Sequence, residues 1–187
     1  MKAFKKIWDI VSGVLVAIVV VLAIALAGVR LVGIQPYTVL SGSMEPAYHV
    51  GSLIYVKAID PAEIEAGTPI TFMLDENTIA THREVEVVPD EEDPSVLRFR
   101  TKGDANDSVD GGLVHYKNVV GTPIFTIPQL GYFADYIQNP PGKYVAIAVG
   151  AMLLLVIFLP DLLFDDDDEE KKKKKGKRAA EEPAVKE

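Results

Sequence analysis

Residues 10–29 (IVSGVLVAIVVVLAIALAGV) run for twenty positions without a charge. At about 1.5 Å per helical residue, such a run spans the roughly 30 Å hydrocarbon core of a bilayer. The segments on its two sides must therefore fold apart. Lys2, Lys5 and Lys6 precede the run, and Ala25-Leu26-Ala27 has the small-residue look of a secretory cleavage site. The apolar part of a removable signal occupies only about 7–15 residues, however, so the run reads as a retained anchor. A second apolar run, 144–159 (YVAIAVGAMLLLVIFL), stops at Pro160-Asp161 and is short for a span. With the residues to 163 it is expected to cross as well, a buried core helix being the alternative.

Short Lys/Arg-rich segments stay on the cytoplasmic side, which sets the expected topology. Residues 1–9 lie inside, 10–32 cross, 33–143 form an outer domain, 144–163 cross back, and 164–187 return to the cytoplasm. The tail begins with a block of acids and then carries Lys171 to Lys175, Lys177 and Arg178. With almost no apolar residues, it is expected to be disordered. The outer segment holds sixteen acidic against seven basic side chains, which argues against nucleic acid as a partner. The chain has no cysteine, so a disulfide framework, a thiolate metal site and a cysteine nucleophile are excluded together.

Within 33–143 the pattern changes to short runs rich in Val, Ile, Thr, Tyr and Phe, separated by Pro, Gly, Asp and Asn. Strands are predicted over 37–40, 53–59, 69–74, 79–88, 96–101 and 119–127. Asp75-Glu76-Asn77 reads as a hairpin turn that sets Phe72 and Ile79 on neighbouring strands, and 89–94 (PDEEDP) as an acidic loop. No helix-period stretch stands out there. The fold class is mostly β, a small extracytoplasmic β-domain held by apolar helices.

Chemistry has few candidates. Ser43, in Ser41-Gly42-Ser43-Met44-Glu45-Pro46, sits where a hydroxyl can be exposed and a backbone N–H left free, although such a stretch is also an ordinary turn. A neutral serine needs a base within hydrogen-bond reach, oriented by a third group. The histidines are His49, His82 and His115; of these His82 lies inside a predicted strand, which holds a side chain more firmly than a loop. Lys57 and Lys102 are alternative bases, with nothing local to mark either as desolvated. Asp104, Asp107 and Asp110 lie in a Gly/Asn-rich loop (TKGDANDSVDGG). That loop resembles an oxygen-ligand calcium site but lacks its closing Glu.

Together, Val39-Leu-Ser-Gly-Ser43-Met-Glu-Pro46, Gly51-Ser-Leu-Ile-Tyr-Val56, Thr81-His82-Arg83 and Thr101-Lys-Gly-Asp104-Ala-Asn106 with Asp110 resemble the type I signal peptidases. The closest likeness is to the branch shared by archaea, the endoplasmic reticulum and some Gram-positive bacteria. The resemblance implies a signal-peptidase-like β-domain and a membrane-bound serine endopeptidase that removes signal peptides from exported preproteins. It implies Ser43 as nucleophile and His82 as base, where the bacterial branch has a lysine. Asp110 would be the orienting acid, with Asp104 in support and Asp107 in reserve. The Ser43 N–H and the Ser41 hydroxyl would hold the oxyanion. Shallow pockets near Ile54 or Ile79 would select small side chains. The expected partners are signal peptides, the bilayer and the protein-export machinery, with no metal or organic cofactor. Ser52, where the family often has Asp, departs from the pattern. The rivals are a Ser-Lys hydrolase and a membrane-anchored β-domain that binds or scaffolds exported proteins without turnover.

Overall fold

In a computed structural model, residues 2–90, 93, 96–155 and 157 are described. The first helix, α1 (Lys2–Leu26), runs through the apolar stretch, and Lys6–Leu26 is long and apolar enough to cross a membrane. At Ala27 the chain tightens into a 3-10 turn, Gly28–Val32, and leaves it through Gly33 at φ 77, a left-handed conformation that costs glycine little.

Seven strands follow: β1 (Ile34–Thr38), β2 (Leu53–Lys57), β3 (Pro69–Met73), β4 (Ile79–Pro89), β5 (Leu97–Lys102), β6 (Leu113–His115) and β7 (Val119–Ile127). They form one sheet in the order β1-β2-β7-β3-β4-β5-β6, with every described pairing antiparallel. The long β7 joins two parts, pairing with β2 over Thr122 to Ile127 and with β3 at Gly121 and Val119. A Cβ at Gly121 would lie 2.1 Å from the Lys57 carbonyl oxygen, so the sheet can bend there only around a glycine. The fold is a mostly β curled sheet with an N-terminal apolar helix.

Each part buries its own cluster. Ile64, Ile70, Phe72, Phe99 and Val114 pack on the β3–β6 side. Leu53, Tyr55 and Ala134 pack on the β1–β2 side, joined by Leu26 and Val29 from the end of the anchor. The Tyr55 hydroxyl donates to the Ala25 carbonyl at 3.0 Å, tying β2 to the last turn of α1.

Several expectations need correction. The strand predicted over 37–40 lies earlier, at Ile34–Thr38, because Pro36 is tolerated on an edge strand that need not donate there. A short strand, β6, was not predicted; three residues behind two glycines give too little period to read. The outer segment also contains a helix, α2 (Leu130–Gln138), which buries Gly131 and Ala134 and exposes Tyr132, Phe133 and Tyr136. Its Tyr, Phe and Ile content has strand character, and nine residues are too few to show a helical repeat. Other strand ends differ by one or two residues, as ends do.

From Pro140 the chain forms a separate unit that includes a shorter apolar helix, α3 (Gly142–Leu155). The expected tail, 164–187, lies outside the described residues, as do parts of the second apolar run and of the 89–94 loop.

Candidate active site

After β1 the chain leaves the sheet and returns at β2, and the intervening loop carries Ser41 and Ser43. Its neck is closed by backbone bonds from Val39 N–H to the Ser52 carbonyl (2.9 Å) and from Gly51 N–H to the Val39 carbonyl (2.8 Å). Glu45 braces the loop from inside. One of its carboxylate oxygens accepts the Val50 N–H at 3.2 Å, and the other meets His49 Nδ1 at 2.5 Å. His49 therefore serves the loop and does not reach Ser43.

His82 stands on β4, where it pairs with Ile70 of β3, one residue before β4 begins to pair with β5 at Arg83. Its ring meets the Phe72 ring edge-on at 6.2 Å between centroids. Nδ1 lies 2.6 Å from Asp110 Oδ2, and Nε2 lies 3.2 Å from Ser43 Oγ. The same Asp110 oxygen accepts the Thr101 hydroxyl at 2.6 Å. An oxygen that accepts a hydroxyl proton and faces Nδ1 selects the tautomer with hydrogen on Nδ1. Nε2 then has a free lone pair, and the Ser43 hydroxyl donates to it. Asp110 is itself held by its N–H on the Thr101 carbonyl at 2.8 Å.

Ser43 is tied to the aspartate loop through its carbonyl, which accepts the Ala105 N–H at 2.9 Å. Gly103 is the close approach that permits this, since a Cβ there would sit 2.6 Å from the Ser43 carbonyl oxygen. Among the described residues the Ser43 N–H has no acceptor. Ser41 Oγ lies 3.4 Å from Ser43 Oγ, on the same side of the loop.

The other candidates separate by position. Asp104 does not reach His82 or Asp110 by hydrogen bond; it takes a two-pronged bond from Arg83, at 2.8 Å from Nε and 2.7 Å from the terminal nitrogen. Arg83 also donates to the Gly67 carbonyl at 2.6 Å. These bonds from Arg83, with smaller help from the Arg83 and His82 charges, hold the Asp104 carboxyl below the ordinary carboxylate range. Burial pushes the Tyr48 hydroxyl up, and the nearby Arg83 and Asp104 charges place it beside the same pair. Asp107 has no hydrogen-bond or ion-pair partner among the described residues. Lys57 is exposed at the end of β2, Lys102 pairs in the ladder with Arg83, and His115 accepts the Lys117 N–H at 3.1 Å. Among the described residues no three His, Asp or Glu side chains are grouped to hold a metal ion.

Sequence reasoning assigned no part to Thr101, Arg83 or Gly103, although all three stand in the quoted motifs. A buried Thr ending a strand one turn before an acidic loop is the signal that could have found Thr101.

Ser43 and His82 open into a cleft of ≈ 900 Å³ whose walls include Ile54, Ile79 and Tyr48. Ile54 is buried in its floor, and Ile79 is partly exposed on its rim. A serine hydroxyl on an imidazole nitrogen, a backbone N–H without an acceptor among the described residues and an open cleft beside them are parts that acyl transfer on a peptide needs.

The family described as "Signal peptidase, peptidase S26" matches residues 11–123. The chain is 41% identical over 123 residues to signal peptidase I W of Bacillus subtilis (strain 168), a similarity covering 62% of this chain and 63% of that protein. It is 36% identical over 127 residues to the signal peptidase complex catalytic subunit SEC11C of Homo sapiens, covering 63% of this chain and 65% of that one. The chain thus spans just under two thirds of the length of these curated relatives.

Proposed function

This chain belongs to the signal peptidase family, peptidase S26, and from that premise we propose that it is a membrane-bound serine endopeptidase. Its substrates are exported preproteins, from which it removes N-terminal signal peptides after small side chains. The observation that carries this reading is the line of contacts from Asp110 through His82 to Ser43, at 2.6 and 3.2 Å, open to the cleft.

In the proposed reaction Ser43 Oγ attacks the scissile carbonyl while His82 Nε2 takes its proton. Asp110 fixes the ring and stabilises the imidazolium. The carbonyl oxygen, now negative, is held by the Ser43 N–H and the Ser41 hydroxyl. His82 returns the proton to the leaving amine, an ester remains on Ser43, and water activated by His82 releases the new carboxylate. Asp104 supports the site at one remove, through Arg83. Extended peptides commonly add to sheet edges, and that backbone pairing would leave alternate side chains to the cleft near Ile54 and Ile79. No metal or organic cofactor has a part.

The proposed localisation is the cell membrane, with two spans. Residues 10–32 and 144–163 cross, both ends face the cytoplasm, and residues 33–143 stand outside as the catalytic domain. The anchor ends close to the sheet through Tyr55 and Ala25, which supports a site near the outer membrane face. The partners are signal peptides and the bilayer, with the export machinery upstream.

The test uses full-length protein in detergent with a preprotein. Wild type is expected to cut it, Lys57→Ala to cut normally, and Ser43→Ala and His82→Ala to leave it whole. Full activity in His82→Ala would defeat the assignment, and no cleavage by wild type would leave a binding or scaffolding domain as the better reading.

A further inference from the structure

Arg30 is the first charge after Asp9, so it marks the level at which the apolar run gives way on the far side of the anchor. It lies in the Gly28–Val32 turn, whose backbone is fixed by bonds from Arg30 N–H to the Ala27 carbonyl and from Gly33 N–H to the Arg30 carbonyl, both 3.1 Å. Leu31 and Val32 beside it are 91% and 72% exposed, so the turn is uncovered from Arg30 onward, while Val29 packs against the Leu53 cluster. Arg30 also lines the cleft that holds Ser43 and His82, as do Leu26 of the anchor and Gln138 of α2. Its charge is felt by Tyr37 in the same wall. Yet among the described residues the guanidinium has no hydrogen-bond or ion-pair partner. A fork of five donors at the rim of a cleft, unused by the protein, is suited to bind acceptors brought by something else.

What arrives there follows from geometry, if the peptidase reading above holds. A substrate with an apolar helix in the bilayer and an extended segment in the cleft runs in the same sense as α1, with its C-terminal end outward. The last turn of any helix leaves carbonyl oxygens without intrahelical partners and carries the negative end of the helix dipole. That turn reaches the outer boundary at the level of Arg30. We infer that Arg30 caps the C-terminal turn of the substrate's apolar helix and thereby fixes how much extended chain separates that helix from Ser43. It is a substrate-positioning residue and takes no part in bond making.

The experiment compares two substrates on full-length protein in vesicles of zwitterionic phospholipid. One is a preprotein with its apolar segment; the other is a short peptide holding only the residues around the cut. Arg30→Gln is expected to lower kcat/KM for the preprotein about tenfold, chiefly through KM, and to leave the short peptide unchanged. Arg30→Lys, which keeps the charge, is expected to recover most of the loss. Lengthening the segment between apolar helix and cut should slow wild type more than Arg30→Gln. Equal losses on both substrates, or no loss on either, would overturn the inference. So would a preprotein defect that appears only when anionic phospholipid is added, since Arg30 would then serve a lipid phosphate. Failure of wild type to cut either substrate would instead remove the peptidase reading itself, so the two failures are distinguishable.

Discussion

The two parts of the sheet hold their share of the site in different ways. On the β3–β6 side, His82 stands on a strand paired with β3 through Ile70, one residue before β4 begins to pair with β5, and Asp110 is gripped by the side chain and the carbonyl of Thr101, which is fully buried. On the β1–β2 side, Ser43 rides on a loop closed at its neck by backbone bonds and braced by the half-buried carboxylate of Glu45. The parts meet at a few points: His82 Nε2 on Ser43 Oγ, and Ala105 N–H on the Ser43 carbonyl. In the reaction proposed for them, His82 must keep one ring orientation through two proton transfers, whereas Ser43 has to move from hydroxyl to ester and back. A rigid half and a compliant half suit those duties.

The largest effects should come from cutting the line where the parts meet. Ser43→Ala and His82→Ala are each expected to lower kcat by about 10⁶-fold, with the double variant no worse, because the two act as a unit. Asp110→Ala should cost about 10⁴-fold, as loss of the tautomer-setting acid does. Asp104→Ala should cost far less, because that carboxylate answers to Arg83. Single-turnover cleavage of a preprotein measures all five variants, and a loss at Asp104 equal to that at Asp110 would break the division drawn between them.

Next in size are changes on the compliant side. Ser41→Ala is expected to lower kcat by about 10²–10³-fold with KM little changed, if its hydroxyl meets the oxyanion. Wild-type turnover in that variant would take Ser41 out of the site. Gly103→Ala tests the junction: its new methyl would meet the Ser43 carbonyl oxygen at 2.6 Å, and the loop must shift. Displacing a nucleophile by a fraction of an ångström to 1 Å costs up to about 10²-fold. Unfolding midpoints should move little, which separates this loss from general damage.

Legibility in the sequence depended on composition. The strands β2, β3, β4, β5 and β7 could be read from their Val, Ile, Thr, Tyr and Phe content between turn residues, and His82 fell within one of them. Ile34–Thr38 was legible only at its end, past Pro36, Leu113–His115 has too few residues to show a pattern, and Leu130–Gln138 has the Tyr, Phe and Ile content of a strand. Ser43, His82 and the choice among three aspartates came from motif order. Residue types alone could not tell Asp110 from Asp104, because what distinguishes them is which neighbour each faces: His82 and Thr101 for one, Arg83 for the other. Spacing along a loop does not encode that.

The smallest expected effect lies inside the rigid half and runs against its stability. Glu84, two residues after His82 on the same strand face, is 0% exposed, and among the described residues neither carboxylate oxygen has a hydrogen-bond partner. It sits opposite Thr101, beside an irregularity in the β4–β5 ladder. Burial, and to a lesser degree the Glu86 charge, raises its pKa. The β3 strand brings no ionisable group, Arg100 of β5 is engaged with Glu86, and Arg83 with Asp104, so among the described residues no ion pair offsets a negative charge there. For an acid whose folded-state pKa is raised, the folded state binds the extra proton. Stability is then greatest below the ordinary carboxylate value of about 4.3 and falls as pH rises toward the folded-state pKa. Glu84→Met should therefore stabilise the protein by about 1–3 kcal/mol at neutral pH, the usual cost of an unpaired buried polar group, and by less at pH 4. Glu84→Gln should remove the pH dependence of the difference while keeping an unpaired amide. Denaturant unfolding at pH 4 and pH 8 measures both. If Glu84→Met is equally stabilising at the two pH values, or is destabilising, then Glu84 has a partner in solution and the rigid half is better satisfied than its hydrogen bonds indicate.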